Sequence, residues 1–277
     1  MNNSSSELLI SFIAGGAAGT AVDVSLFPLD TLKTRLQSKQ GFLKSGGFRG
    51  IYAGLGPAAA GSAPNAAVFF CTYDFIKRNT CPLVQESWKP VVHMFAACCG
   101  EVSACVVRVP VEIIKQRCQV AATTSVSVVI RSIIEKNGFR GFYQGYFSTL
   151  LREIPFSLIQ FPLWEALKSY WISHRKARGF HDELGASQVA VCGAIAGGIS
   201  AGLTTPMDVA KTRIMLDSSP GRVNSVISVL KEVYASQGIK GLFAGVLPRI
   251  LWISLGGAIF FGVNEKTKLF LFPYVVI

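Results

Sequence analysis

The sequence predicts an all-α membrane protein in which three tandem two-helix repeats form a six-transmembrane-helix, pseudo-threefold barrel with short helices between the long ones. Three observations predict this fold: a composition poor in charge, long uncharged segments, and three sequence patterns that each occur three times. Only 16% of the 277 residues are charged and 50% are hydrophobic, whereas an average soluble domain has roughly 25% charged residues. The mean hydropathy of +0.42 and the net charge of +11 together predict apolar spans with basic edges.

The uncharged segments are long enough to cross a bilayer. Residues 51–73 and 184–207 contain no Asp, Glu, Lys or Arg, and as helices each spans a hydrocarbon core of ~30 Å. The apolar segments 91–109 and 154–171 are interrupted by charges such as Glu101, Arg108 and Glu165. Interrupted spans of this kind are typical of helices with one face on water rather than lipid.

Three patterns recur in the same order, which indicates an internal triplication. The first reads Pro, any residue, acid, two residues of any kind, base, any residue, base, and begins at Pro28, Pro110 and Pro206. The second is a glycine pattern that begins at Gly47, Gly138 and Gly238. The third is an acid followed by a base three residues later, at Asp74–Lys77, Glu165–Lys168 and Glu265–Lys268. The predicted repeats are residues 1–84, 85–178 and 179–277.

Each repeat is predicted to contain two long helices with a short amphipathic segment between them. The six long helices are predicted over 8–37, 55–78, 89–119, 146–173, 184–215 and 246–269. Two crossings return the chain to its starting side, so the repeats are parallel and can close a ring around a central cavity. The proline of the first pattern is predicted to kink the first helix of each repeat, because it removes a backbone hydrogen bond.

Other classes of protein are disfavoured by the same sequence. The Lys and Arg residues are spread along the chain rather than gathered into one stripe, so nucleic-acid binding is not expected. The three His have no metal-ligand spacing and no nucleophile motif is present, so neither an enzyme, nor a metal site, nor a cofactor is predicted. The seven Cys are interpreted as small buried apolar residues. Residues 1–7 contain no base, which predicts neither a secretory signal nor an Arg-rich transit peptide. A soluble helical solenoid is the remaining alternative, and it does not require long uncharged spans.

The three Pro–acid–base signatures, each followed by its glycine pattern, resemble those of the mitochondrial carrier family over essentially the whole chain. The resemblance implies a multi-pass antiporter of the mitochondrial inner membrane, and three repeats close a ring within one chain, so a monomer suffices. A protein of this fold that acts as a receptor without transport is an alternative. Ion pairs between neighbouring helices are implied at the matrix end, namely Asp30–Lys115, Glu112–Lys211 and Asp208–Lys33. Pairs Asp74–Lys168, Glu165–Lys268 and Glu265–Lys77 are implied at the cytoplasmic end.

Ion pairs within single helices are the alternative for the same charges, and these are worth ~0–1 kcal/mol each on a wet surface. Gln37 and Gln119 stand where the family has a glutamine that braces the matrix pairs. Met215 replaces that glutamine in the third repeat. We therefore expect a weaker brace there.

A second set of charges lies at membrane depth outside the signatures: Asp23, Glu101, Arg108, Arg152, Glu153 and Arg249. Charges at this depth are costly and usually face a cavity, although structural pairing among them is the alternative. Three acids beside three bases suit a zwitterion with an additional positive charge. In the family, substrate contacts lie about two turns beyond the last glycine of the second pattern. This position adds Gly61, Ser62 and Trp252 to the candidate site. In the second repeat it falls on Arg152 and Glu153, which are already candidates.

These positions predict roles for an amino-acid-like substrate. Arg152 is expected to bind the α-carboxylate and Glu153 the α-ammonium, while Asp23 or Glu101 faces a further cation such as a sulfonium. Trp252 is interpreted either as a stacking partner for a base such as adenine or as lipid-facing packing. Gly61 and Ser62 are expected to leave room for a bulky ligand. A cation of the ornithine or lysine type and a nucleotide-like cofactor are alternative substrates.

The glycine patterns have two compatible interpretations. One is backbone geometry at helix starts and tight turns. The other, implied by the family resemblance, is a set of cardiolipin sites in which lipid phosphates meet helix N-termini. The residues concerned are Gly50, Gly54, Gly141, Gly145, Gly241 and Gly245.

Overall fold

The computed structural model describes residues 3–80, 82, 84–85, 88–121, 125–177, 185–217 and 225–275, and this part of the chain is helical without a β-strand. The long helices are α1 (Asn3–Gln37), α3 (Leu55–Thr80), α4 (Lys89–Ala121), α6 (Tyr146–Ala177), α7 (Ala186–Leu203) with α8 (Thr205–Leu216), and α10 (Val246–Val275). The short helices are α2 (Gly41–Lys44), α5 (Val126–Asn137) and α9 (Val226–Leu242), and a 3₁₀ turn covers Phe139–Tyr143. The predicted helices are therefore present, with ends that differ by a few residues.

The long helices close a ring. α1 contacts α3 and α10, α4 contacts α3 and α6, and α7 contacts α6 and α10. Going round the ring, the order is thus α1, α3, α4, α6, α7–α8, α10 and back to α1, which is the order along the chain. The structure is that of an all-α carrier barrel, as the sequence predicted.

The first long helix of the third repeat bends sharply, as predicted for a helix that contains a signature proline. The chain turns by 64° between α7 and α8, so the predicted span 184–215 is divided into two helices. Pro206 lies in the first turn of α8, where it has no N–H for the carbonyl four residues earlier. The hydroxyls of Ser200 and Thr204 also bond to carbonyls four residues back, at 2.7 Å each, which favours bending. Pro28 and Pro110, in contrast, lie inside unbroken helices.

The short helices pack against the ends of the long ones that carry the Pro–acid–base signatures; we call this side of the ring the signature end. Val129 and Ile133 of α5 are buried in a cluster with Ile113 of α4. Val229 and Val233 of α9 are buried against α8 in a second cluster. Most of the apolar core of the described residues therefore lies at this end.

The last glycine of each repeated glycine pattern permits a close approach between neighbouring repeats. Gly54 has φ +91°, and a Cβ there would lie 2.8 Å from the carbonyl oxygen of Lys115 on α4. Gly245 has φ +72°, and its Cβ would lie 3.1 Å from the carbonyl oxygen of Lys33 on α1. Any other residue would be strained in this conformation and would push the helix ends apart. Backbone geometry alone thus explains why glycine stands at these two positions.

By length and apolar composition, one described helix, Val91–Ala121, qualifies as a membrane span. Two bent pairs, Ser187–Leu203 with Thr205–Leu216 and Val226–Leu242 with Val246–Ile259, qualify if each pair is counted as one span. The long helices carry the charged signatures described below, which lower their hydropathy. This is the property expected of helices that line a polar interior.

Candidate substrate cavity and ion-pair ring

Three ion pairs join neighbouring helices at the signature end, and we call them the ion-pair ring. Each is formed by the acid of one signature and the lysine of another. They are Asp30–Lys115 at 2.8 Å, Glu112–Lys211 at 2.7 Å and Asp208–Lys33 at 2.7 Å. These are the pairs that the family resemblance implied. The alternative of pairs within single helices does not describe this end of the protein.

Two glutamines brace the ring across the same helix boundaries. Gln119 Nε2 of α4 donates to Asp30 Oδ2 of α1 at 2.9 Å. Gln37 Nε2 of α1 donates to Asp208 Oδ2 of α8 at 2.9 Å. The third boundary lacks such a brace, because Met215 is a buried apolar residue.

Glu112 receives a hydrogen bond from Gln116 Nε2 instead, at 3.0 Å. Gln116 lies on α4, the same helix as Glu112. This bond therefore does not tie α4 to α8, and within the described residues the third boundary has no bridging side-chain amide beside its ion pair.

The second base of each signature has a role that the sequence analysis did not assign. Arg35 Nε donates to the carbonyl of Gln119 at 2.8 Å, Arg117 Nε to that of Met215 at 3.3 Å, and Arg213 Nε to that of Gln37 at 3.2 Å. Each arginine thus caps carbonyls at the C-terminal end of the corresponding helix of the next repeat, where helices have unpaired carbonyls. The exact threefold recurrence of this base in the sequence was the signal that could have revealed the role.

At the opposite end of the ring, one of the three implied ion pairs lies wholly among the described side chains, and it is not formed. Lys168 Nζ lies 3.0 Å from Glu165 Oε1 of its own helix, not beside Asp74. Asp74 and Lys77 form no ion pair within the described residues, and Lys77 Nζ lies over the ring of Tyr73 at 5.9 Å. The side chains of Glu265 and Lys268 lie outside the described residues. The implied Asp74–Lys168 pair is thus absent from this conformation. The absence of this pair is what we expect at an end where the cavity is open.

Between the two ends, the charges at membrane depth form a connected network. Arg108 pairs with Glu101 and lies 3.8 Å from Glu153, which in turn pairs with Arg152. The alternative of structural pairing among these charges therefore describes this conformation. A ligand at this position would have to exchange with some of these contacts.

The network continues to the ion-pair ring through Asp208. Arg152 Nε lies 3.8 Å from Asp208 Oδ1, and Arg249 Nη1 lies 3.8 Å from Asp208 Oδ2. Both distances are too long for a hydrogen bond. Among the described residues, these two nitrogens are the buried side-chain donors that have no hydrogen-bond partner. Such groups are costly, and here the two lie close to the same carboxylate.

Asp23 is the one charge of the membrane-depth set that lies outside this network. It is partly buried on α1 and makes no hydrogen bond or ion pair with any described residue. Glu101, the competing candidate for a cation, is already paired with Arg108. Of the two acids, Asp23 is therefore the one available to a cationic group.

The remaining predicted contacts differ in their surroundings. Trp252 is half-buried on α10, and Ser62 is exposed on α3. Gly61 is buried, and a Cβ there would lie 2.6 Å from both methyl carbons of Val111 on α4. The small size of Gly61 is therefore required by packing between α3 and α4, whereas the sequence analysis attributed it to room for a ligand.

The glycines predicted as lipid sites show the geometry of turns and close contacts. Positive φ angles occur at Gly50, Gly54, Gly145 and Gly245. At Gly141 a Cβ would lie 2.9 Å from Ile133 and at Gly241 it would lie 2.5 Å from Gln237. Each position thus has a packing or backbone reason for glycine, independent of any lipid.

The family model for mitochondrial carrier proteins matches residues 4–45, 40–82, 86–175 and 182–275. The chain is 54% identical over 260 residues to the mitochondrial S-adenosylmethionine carrier protein of Mus musculus, covering 93% of both chains. It is 53% identical over 264 residues to the protein of the same name from Danio rerio, covering 95% of this chain and 97% of that one. It is 54% identical over 260 residues to the S-adenosylmethionine mitochondrial carrier protein homolog of Drosophila melanogaster, covering 92% of this chain and 90% of that one.

Proposed function

This chain belongs to the mitochondrial carrier family, and we propose that it exchanges cytosolic S-adenosylmethionine for matrix S-adenosylhomocysteine across the mitochondrial inner membrane. Relatives that carry the S-adenosylmethionine name are 53–54% identical over most of their length, which supports the substrate. The observation that carries the proposal is chemical: two buried arginine donors have no hydrogen-bond partner, and Asp23, an acid at membrane depth, forms no hydrogen bond or ion pair with a described residue.

The charges of the network match the ends of this substrate. The connected groups around Asp208 comprise four bases and three acids, namely Lys33, Arg108, Arg152, Arg249, Glu101, Glu153 and Asp208. The network therefore lacks one negative charge and two hydrogen-bond acceptors. An α-carboxylate supplies both when it bridges Arg152 Nε and Arg249 Nη1, and charge-assisted bonds of this type are the strong ones.

The cationic groups then have acids on the other side. Glu153 takes the α-ammonium, in exchange for one of its two arginine contacts. Asp23 faces the sulfonium, whose charge would otherwise be uncompensated in a cavity of low dielectric constant. Trp252 offers its ring face to the adenine. S-adenosylhomocysteine retains all of these groups except the sulfonium charge.

Transport follows if the two ends of the ring close in different conformations. The ion-pair ring closes the matrix end in this conformation, and the acids and bases of the third pattern close the cytoplasmic end in the alternate one. Substrate shifts the balance between the two states only if it binds them with different affinity during passage. The cytoplasmic gate consists of Asp74, Lys77, Glu165, Lys168, Glu265 and Lys268. The protein functions as a monomer, with cardiolipin at the six glycines named above.

Exchange in proteoliposomes tests the proposal. Vesicles that contain the purified protein and internal S-adenosylhomocysteine should take up labelled S-adenosylmethionine, and empty vesicles should not. No uptake, together with rapid exchange of ornithine or lysine, would assign the second class of substrate instead. S-adenosylmethionine without its carboxylate should compete roughly a hundredfold or more weakly, because two charge-assisted bonds are lost at about 1.5–3 kcal/mol each.

A variant separates the substrate site from the fold. Arg152→Ala should abolish uptake while the protein still inserts into membranes. Arg131→Ala is the matched control, because Arg131 is an exposed residue of α5 that pairs only with Glu135 of the same helix. Equal kinetics for Arg152→Ala and the wild type would remove Arg152 from the site.

A further inference from the structure

A cavity of about 460 Å³ lies at the matrix end, outside the ion-pair ring. It is enclosed where α1, α4 and α8 end and along one face of α5. None of the substrate-site residues named above lines it. The cavity is thus separate from the substrate site, on the far side of the closed ring.

The cavity is lined by one base from each repeat: Lys39, Arg117 and Arg213. Arg117 and Arg213 use Nε and Nη2 for hydrogen bonds to carbonyls and glutamines of neighbouring segments. The Nη1 group of each has no hydrogen-bond partner among the residues that the structure describes. Two guanidinium groups, held in place by their own contacts, therefore retain donors for a ligand.

The electrostatic balance of this cavity favours an anion. Asp217 is the one acid in its lining, against three bases. Helix C-termini normally disfavour anions, but here arginines already bond to carbonyls at those ends, as at Gln119 and Gln37. Lys39 is half-exposed and also pairs with the exposed Glu232 at 2.6 Å, so a bound anion would share this lysine with Glu232.

We propose that this cavity binds a compact polyanion of the phosphate class, such as pyrophosphate or the phosphate chain of a nucleotide, and that the bound anion holds the matrix end closed. Guanidinium groups match phosphate oxygens in geometry and charge. An anion that touches Lys39, Arg117 and Arg213 bridges all three repeats. These helix ends must separate when the matrix end opens, so an anion that bridges them binds the closed state more tightly. By linkage it then favours that state. The second part of the proposal rests on the alternating access proposed above.

Binding is tested without transport, by the thermal unfolding of the full-length protein in detergent free of anionic lipid. Pyrophosphate should raise the unfolding temperature more than chloride at equal ionic strength. Lys39→Gln should raise about fivefold the pyrophosphate concentration that is needed for a given rise in unfolding temperature, as expected for loss of one exposed charge contact. Glu232→Gln is the matched control, because it breaks the same surface pair but keeps the lysine, and it should bind pyrophosphate at least as well as the wild type. An equal shift for Lys39→Gln and wild type would overturn the site.

Inhibition tests the second part in the same proteoliposomes. Pyrophosphate on the side that faces the matrix end should slow exchange, with the concentration dependence shifted in Lys39→Gln and retained in Glu232→Gln. Thermal stabilisation without any inhibition would overturn the link to the closed state. An absence of exchange in every sample would refute the proposed substrate instead, and the thermal measurement would still decide whether the anion site exists.

Discussion

Replacing Gln119 by methionine should destabilise the matrix-closed state relative to the matrix-open state. This substitution reproduces in the second repeat the residue that the third repeat already has at Met215. Gln119 is fully buried, and its Nε2 lies 2.9 Å from Asp30 Oδ2 and 3.2 Å from Thr31 Oγ1. Both acceptors lie on α1, so both bonds are lost when α4 and α1 separate.

The expected magnitude follows from these two contacts. A hydrogen bond to a charged group contributes about 1.5–3 kcal/mol and one to a neutral group about 0.5–1.5 kcal/mol. Thr31 keeps its own bond to the carbonyl of Ile51 at 2.6 Å, so the smaller value applies to it. The sum of about 2–3.5 kcal/mol corresponds to a shift of roughly 30–300-fold between the two states.

The shift can be measured as labelling of a cysteine placed on α1 within the closed matrix end, by a reagent applied from the matrix side. Gln116→Met is the matched control, since Gln116 is also buried and also donates to a ring acid, Glu112 at 3.0 Å. That bond lies within α4, so separation of α4 from α1 does not require it to break, and its loss should leave the distribution unchanged. Equal labelling of the Gln119→Met protein and the wild type, or an equal increase in both variants, would refute the reasoning.

Two further predictions use the same structure. Met215→Gln should add the missing brace to Glu112. It should reduce cysteine labelling from the matrix side by roughly tenfold, because one charge-assisted hydrogen bond is gained in the closed state. Unchanged labelling would mean that the added amide does not reach the carboxylate. Gly61→Ala should lower the free energy of unfolding by about 1–3 kcal/mol through overpacking against Val111, measured by thermal unfolding in detergent. Gly56→Ala on the same helix has no atom within 4 Å of the added Cβ, so it should be neutral or stabilising, and an equal loss in both variants would contradict the packing explanation.

The recurring patterns predicted the fold because they report contacts that repeat by symmetry. Each Pro–acid–base signature places an acid and a lysine on the end of a helix, and only a ring of neighbouring repeats brings the acid of one beside the lysine of another. The sequence therefore carried enough information for Asp30–Lys115 and its two equivalents. It also carried the signal for the arginine caps, which were not recognised because carbonyl partners leave no trace in a sequence.

Features that depend on the conformational state could not be predicted in this way. A pattern of acids and bases shows which partners are available, but not which end of the ring is closed. Lys168 thus bonds Glu165 of its own helix in this state, although the same lysine suits Asp74 in another. The signature prolines predicted a kink in every repeat, but not that the third repeat would divide into two helices at Thr204 while Pro28 and Pro110 lie inside unbroken helices. In the third repeat three hydroxyls shortly before the proline, those of Ser200, Thr204 and Thr205, bond to carbonyls four residues back, and such bonds compete locally with helix geometry.

The arginine caps and the ion-pair ring connect the repeats in opposite directions. Lys115 of the second repeat reaches back to Asp30 of the first, while Arg35 of the first reaches forward to Gln119 of the second. Every boundary is therefore held by one cation from each side, and no helix end can swing outward without releasing two boundaries at once. Partial opening would expose several unpaired charges together, so we expect intermediate widths to be sparsely populated. Opening of this end would then be close to all or none, which would leave small ions few chances to leak through.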